Sequence, residues 1–360
     1  MIVVKTESVN DAADKTVNGA SMRQPAEKQA TLICMTPVRN EAWILERFLQ
    51  CASTWADYIV IADQQSTDGS REIARRFEKV VLVDNPHEAY DEGARQRLLI
   101  DTARRLPVSD KRILIALDAD EMLSATWMES PEWQQMLAAP PGTVLYFRWA
   151  NIGPDVTCAW VDADYKPFGF VDDGSPHQGR PIHSPRVPVP KDAPALYFDE
   201  IKVLHYQYAD WNRMRSKQRW YQVWERLNDP KKRPVTIFRQ YHHMEAAIRR
   251  AGPVHPEWLA GYEALGIDMR AIPKASHYYW DEAVLKLLME HGPERFRKLN
   301  IWDCDWAALA ARQGLSANGR LRDPRTPFEK AVHAWLRATQ GRSQALPVRM
   351  VQKLLGILGW

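Results

Sequence analysis

The sequence predicts an α/β fold: a mostly parallel sheet flanked by helices, followed by a helical C-terminal extension. Three observations carry this. Short Val/Ile/Leu runs alternate with helical repeats four times before residue 120. The runs are apolar throughout, as strands buried on both faces must be. From Trp211 onward helical periodicity replaces strand patterning.

In order, "ATLICMTPV" reads as a buried strand stopped by Pro37. "NEAWILERFLQCASTW" has helical spacing at Trp43, Ile44, Phe48, Leu49 and Ala52. "DYIVIAD", "KVVLVDN" and "KRILIALD" read as further strands, with "GSREIARRF" and "DEGARQRLLIDTARRL" as the helices between them. "GTVLYFRWAN", "APALYFDE" and "IKVLHYQY" suggest mixed or antiparallel strands, joined by an irregular Pro/Gly/Asp-rich stretch from Pro154 to Pro194. Residues 1–28 are polar and aperiodic, the pattern of a disordered leader.

The composition, 45% hydrophobic and 26% charged with a formal net charge of +3, belongs to a globular chain and supplies no global reason to bind nucleic acid. The charge is uneven: residues 211–250 hold eleven Lys/Arg against three acids, and 325–360 six against one. Cys34, Cys51, Cys158 and Cys304 are scattered, as reduced thiols are. No run approaches the roughly 18 apolar residues of a membrane span, and the N-terminus lacks a signal-peptide pattern, so the expected location is cytoplasmic.

Ligands of open parallel sheets bind beyond the carboxyl ends of the strands. Here those ends are polar: Pro37–Glu41, Asp63–Asp68, Asp84–Asn85 and Asp118–Glu121. Asp118 and Asp120, one residue apart, share a side in an extended chain and suit a hard cation such as Mg²⁺ or Mn²⁺ bridging a diphosphate; the alternative is an acidic turn in which one Asp caps a helix. Asp63 is either a ligand acceptor or part of a turn with Asp68-Gly69.

"TPVRNEAWILERFL", "IVIADQQSTDGS" and "ILIALDADE", in this order, resemble the nucleotide-sugar half of glycosyltransferase family 2 over about residues 30–125, a third of the chain. The resemblance implies a glycosyltransferase A-type, Rossmann-like catalytic domain over 29–210, with a donor half (29–125) and an acceptor and metal half (126–210). A helical region (211–325) and a basic amphipathic tail (326–360) would follow. It implies that Pro37, Val38, Arg39, Glu41 and Asp63 border the nucleoside, that Arg97 approaches the base or diphosphate, that Asp118 and Ala119 border the donor, and that Asp120, with Asp118, holds Mn²⁺ or Mg²⁺. It also implies transfer with inversion. Gln64 stands where many members carry a second acid, which leaves the nucleobase open.

The resemblance further implies that His205, at a strand end, is a third metal ligand and that Lys217, in the basic helix after it, faces the diphosphate; a hydrogen-bonded His before a solvated basic helix is the alternative. Inversion needs a carboxylate base, for which Asp172 and Asp173 are the candidates. The expected partners are a nucleoside-diphosphate sugar and a glycan or lipid-linked acceptor, with no nucleic acid. The tail places Arg349, Gln352, Lys353 and Gly356 on one face and apolar residues, ending in Trp360, elsewhere. That suits peripheral membrane contact, packing onto the catalytic domain or dimerisation. Two competing readings remain. One is a nucleotidyltransferase, which would carry a glycine-rich phosphate loop that "TPVRNEAW" lacks. The other is a single-stranded nucleic-acid binder using the aromatic, basic 211–250 segment.

Overall fold

The computed structural model describes residues 30–86, 91–107, 111–315 and 321–360; the expected leader, 1–28, lies outside them. The predicted alternation is present: β1 (Thr31–Val38), α1 (Leu45–Ser53), β2 (Tyr58–Asp63), α2 (Ser70–Ala74), β3 (Val80–Asp84), α3 (Glu92–Arg104) and β4 (Arg112–Ala116). The four strands are parallel in the order β3-β2-β1-β4, the first part of a Rossmann order. Ile33, Val60 and Leu114 pack with Leu99 and Ile100 of α3, while Cys34, Ile61 and Ile115 face α1 through Phe48 and Leu49. β1, β2 and β4 thus bury both faces, and β3 at the edge is half-buried on both, which is why their sequences are apolar throughout.

Pro37 does not stop β1, as expected from sequence; it pairs with Ala62 inside the strand. Leu117 donates to the Met35 carbonyl, so Met35 and Pro37 both face β4, and the β1–β4 ladder ends at Ala116. The missing N–H of Pro37 thus falls where that ladder ends.

Beyond β4 the sheet changes direction. β5 (Glu121–Leu123), α4 (Pro131–Ala138), β6 (Val144–Ile152), β7 (Cys158–Val171), β8 (Ala195–Tyr197) and β9 (Val203–His205) follow. The main path runs β4-β7-β6-β9-β5, with β7 antiparallel to β4 and β6, β9 parallel to β6, and β5 antiparallel to β9; β8 attaches to β6. The stretch from Pro154 to Pro194, read as irregular, contains the 14-residue β7. Asp, Pro and Gly disfavour strands, but here the long β6 partner holds them, with register shifts at Leu145/Tyr146 and Arg148/Ala150 absorbing the misfit.

The C-terminal part is helical: α5 (Trp211–Asn228), α6 (Pro234–Tyr241), α7 (Met244–Ala247), the short β10 (Gly252–Pro253) on β7, α8 (Ala260–Ala264), α9 (Tyr279–His291), α10 (Trp306–Arg312), α11 (Pro327–Ala338) and α12 (Leu346–Ile357). Asp210 caps α5 by accepting from Asn212 and Arg213. Arg219 of α5 forms two 2.8 Å hydrogen bonds to Asp281 of α9, in effect clamping the two helices. Among the described residues no helix is long and apolar enough to cross a membrane.

Candidate active site at the sheet edge

The carboxyl ends of β1 and β4 open into a pocket lined by Pro37, Val38, Arg39 and Glu41, by Gln64, by Glu92 and Arg95 of α3, by Asp118, Ala119 and Asp120, and by Lys217, Trp220, Tyr221, Tyr279, Trp280 and Ala283 of α5 and α9. The first loop is held by the one after β2. Asn40 N–H donates to Ser66, Glu41 N–H to Ser70 and Ala42 N–H to Asp68, while Thr67 N–H donates back to the Asn40 side chain. Asn40 and Gln65 adopt left-handed φ values of 56° and 55°, conformations that persist only where surrounding contacts over-determine them. "STDGS" therefore acts here as the brace of "RNEA".

Glu41 is fixed from the helical side. Arg213 donates to it at 2.6 Å and lies 4.6 Å from the ring centroids of both Trp43 and Trp280. Burial raises the Glu41 carboxyl, against the pull of Arg213. Lys217, one turn on, is half-buried. Burial alone would lower its ammonium, but Asp120 foremost, with Tyr221, Glu41 and Asp118, raises it above its ordinary value. Lys217 is therefore a permanent cation of the pocket.

Contrary to the alternation argument, Asp118, Ala119 and Asp120 are not extended. They form a tight turn in which Glu121 N–H donates to the Asp118 carbonyl and the Glu121 side chain accepts from Asp118 N–H. Both aspartates nevertheless reach the pocket. Arg186, delivered by the segment after β7, donates to Asp118 at 2.8 Å and pairs with Glu121, its guanidinium lying over the rings of Phe168 and Trp149. Burial would raise Asp118, but Arg186, Arg95 and Lys217 hold it below its usual range.

The arm carrying Arg186 is docked on the start of α3. Glu92 and Gly93 N–H groups donate to the Pro181 and Arg180 carbonyls, and Ser184 N–H donates to the Glu92 carboxylate. Gly93 and Gly179 meet so closely that a Cβ on Gly93 would lie 2.8 Å from backbone.

His205 lies behind the pocket, stacked on Trp149 at 4.8 Å. Burial lowers its pKa to about 4, so the ring is neutral. Its Nδ1 meets the Asn151 carbonyl oxygen at 3.0 Å, while the Asn151 amide donates to Asp162. Nδ1 therefore carries the proton and Nε2 the lone pair.

Asp63 is buried and does not line the pocket; one oxygen accepts from Arg71 and Ser66, and the other, Oδ1, is a buried acceptor without a partner among the described residues. Gln64 lines the pocket in its place. Arg97 is exposed, and Arg95, two residues earlier on α3, takes the expected position. Asp172 and Asp173 are not brought to the site. Asp172 N–H donates to the carbonyl of Arg112 at the opposite, amino end of β4, and its carboxylate pairs with Arg104 and Arg112 at 2.7 and 2.9 Å. Asp173 is exposed beside it. Both follow the end of β7 at the edge of the sheet opposite the pocket, so the expectation for both is corrected. The aromatic wall from α9 was not anticipated; "HYYWDEA" carries no local signal that it meets a strand end 160 residues earlier.

Among the described residues no three His, Cys, Asp or Glu side chains gather to hold a metal ion. The Asp120 carboxylate, free of hydrogen bonds and salt bridges within the described residues, and the lone pair of His205 Nε2 are the two donors that fit. Mg²⁺-type cations are commonly held by one or two carboxylates, with phosphate oxygens and water completing the shell.

No family model matches the chain, and no curated protein matches it. Among solved structures it is similar to HddC from Yersinia pseudotuberculosis, at 8% identity over 40% of this chain and 73% of that chain, with a TM-score of 0.24. It is also similar to a 4-diphosphocytidyl-2C-methyl-D-erythritol synthase, at 12% identity over 72% and 98%, with a TM-score of 0.25. Likeness at this level leaves the chemistry of the pocket to its own residues.

Proposed function

We propose that the protein transfers a sugar from a nucleoside-diphosphate sugar to an acceptor hydroxyl, in the manner of glycosyltransferase family 2 and with a divalent cation. The observation that carries this reading is the single pocket shared by Pro37–Glu41, Asp118–Asp120 and Lys217. Gln64, which lines the pocket beside Val38, suits hydrogen bonding to a nucleobase. Arg39, Arg95 and Lys217 suit the diphosphate, and the faces of Trp220, Tyr221, Tyr279 and Trp280 suit a base or a sugar. Asp120 and His205 would hold Mn²⁺ or Mg²⁺, which supplies charge to the departing diphosphate. In the reaction the acceptor oxygen bonds to the anomeric carbon, its proton passes to a base, and the nucleoside diphosphate leaves with the electron pair of the broken bond. The acceptor is proposed to be a glycan or lipid-linked glycan.

Several cations that a nucleic-acid reading of 211–250 would use are engaged internally: Arg213 with Glu41, Arg215 and Arg219 with Asp303, Lys232 with Glu225, and Arg239 with the end of α11. A thermal-shift panel of UDP, GDP, dTDP, CDP and CMP, with and without Mn²⁺, tests the proposal. At least one nucleoside diphosphate is expected to stabilise the protein, more strongly with metal. Stabilisation by none sinks the reading, and turnover of a nucleoside triphosphate with a sugar phosphate would replace it by nucleotidyl transfer.

A further inference from the structure

The C-terminal helix meets the protein by the side that carries Gln352, Leu355 and Gly356, while Arg349 and Lys353 of its polar face stay exposed. Leu355 and Trp360 are buried against Val235, Phe238, Val332 and Leu336. Arg233 donates to the carbonyls of Gln352 and Trp360, and its guanidinium sits where a Cβ on Gly356 would be. Trp360, which the sequence offers as an interfacial ring, is in the core. The wide apolar side is left outside: Leu346, Met350, Leu354, Ile357 and Leu358 are 70, 60, 61, 82 and 58% exposed. Their spacing of three and four residues places them in one stripe along a helix about 18 Å long. Exposed Arg349 and Lys353 flank the stripe.

The charge around this stripe decides between its occupants. From Lys330 to Trp360 the chain carries five cations and no Asp or Glu; Lys330 pairs with Asp323 and Arg337 with Glu245, which leaves Arg342, Arg349 and Lys353 as the exposed cations around the stripe. A two-fold contact through the stripe would bring this basic segment against its own copy, like charge on like. An anionic lipid surface offers an apolar layer for the five side chains and negative headgroups for the flanking cations.

We infer that the exposed face of α12 seats the protein on an anionic membrane surface, with Leu346, Met350, Leu354, Ile357 and Leu358 entering the interface and Arg349 and Lys353 among the headgroups. This does not depend on the chemistry of the pocket.

Sedimentation of the full chain with vesicles of phosphatidylglycerol and phosphatidylcholine, and of phosphatidylcholine alone, tests it. Binding is expected to the anionic vesicles and to weaken with salt. Leu354→Glu and Ile357→Glu are each expected to reduce it about tenfold, and the double change Arg349→Gln, Lys353→Gln to reduce it and flatten its salt dependence. These positions are exposed, so the melting temperature of each variant should match the parent, which separates loss of docking from loss of fold. Absence of vesicle binding, or binding unchanged in the glutamate variants, overturns the inference. So does a dimer in light scattering that Ile357→Glu converts to monomer, since the face would then belong to a second copy.

Discussion

Arg186 Nη2 lies 2.8 Å from the carboxylate of Asp118, a residue sixty-eight positions earlier. The same guanidinium serves Glu121, which is fully buried and accepts from Trp149 Nε1 and Asp118 N–H as well. The acid cluster at the end of β4 thus carries its own cation. Arg186→Met would leave Glu121 buried without its charge partner, a loss expected at about 3–5 kcal/mol. Arg186→Lys keeps the charge but not the fork that reaches both acids, and should fall between. Denaturant unfolding of the two variants checks this order.

Asp120 and Asp172 should separate binding from stability. Asp120→Asn is expected to remove the metal dependence of nucleotide binding and weaken that binding by at least about tenfold, with little change in unfolding free energy. Asp172→Asn breaks the pairing with Arg104 and Arg112, so about 2–4 kcal/mol of stability should go while nucleotide affinity stays. Titration calorimetry beside chemical denaturation distinguishes them. Loss of affinity on Asp172→Asn alone would return that residue to the site.

Gly93→Ala probes the docked arm. The added methyl would lie 2.8–2.9 Å from the backbone of Gly179 and Arg180, and neither chain has a flexible atom there to yield. The arm must shift, and Arg186 with it. A loss of about 1–3 kcal/mol is expected, together with faster proteolytic cleavage between residues 174 and 190 than in the parent.

The buried imidazoles set an acid limit. Burial lowers His205 and His333 to about 4 and His242 to about 3, whereas an unfolded imidazole titrates near 6.5. Between these values the unfolded chain binds more protons than the folded one. Stability is therefore full above about pH 6.5 and falls as the pH drops toward 4, by on the order of 3 kcal/mol for each such group. Unfolding curves at pH 7, 6 and 5 measure the slope, and His205→Gln should make it shallower. An unchanged slope would exclude His205 as a contributor.

The strands of the parallel half were legible because each packs apolar side chains on both faces, so local composition alone marks it. Pro37 misled because its tolerance depends on where a neighbouring strand ends. β7 was missed because a strand rich in Asp, Pro and Gly is held by its partner, not by its own propensity. Arg97 and Arg95 differ by roughly 200° of helical turn, and only the docking of α3 decides which one faces the pocket.

Taken alone, the chain determined the alternating α/β order, the polar strand ends and the meeting of Pro37–Glu41 with Asp118–Asp120, because side-chain periodicity and the parallel-sheet rule act over a few residues at a time. The tertiary structure decided what those ends meet: Arg186 from the arm after β7, Arg213 and Lys217 from α5, the rings of α9, and the outward turn of the apolar side of α12. These are contacts between residues far apart in sequence. They follow from which faces pack and which charges need a partner when buried, and no local pattern encodes either.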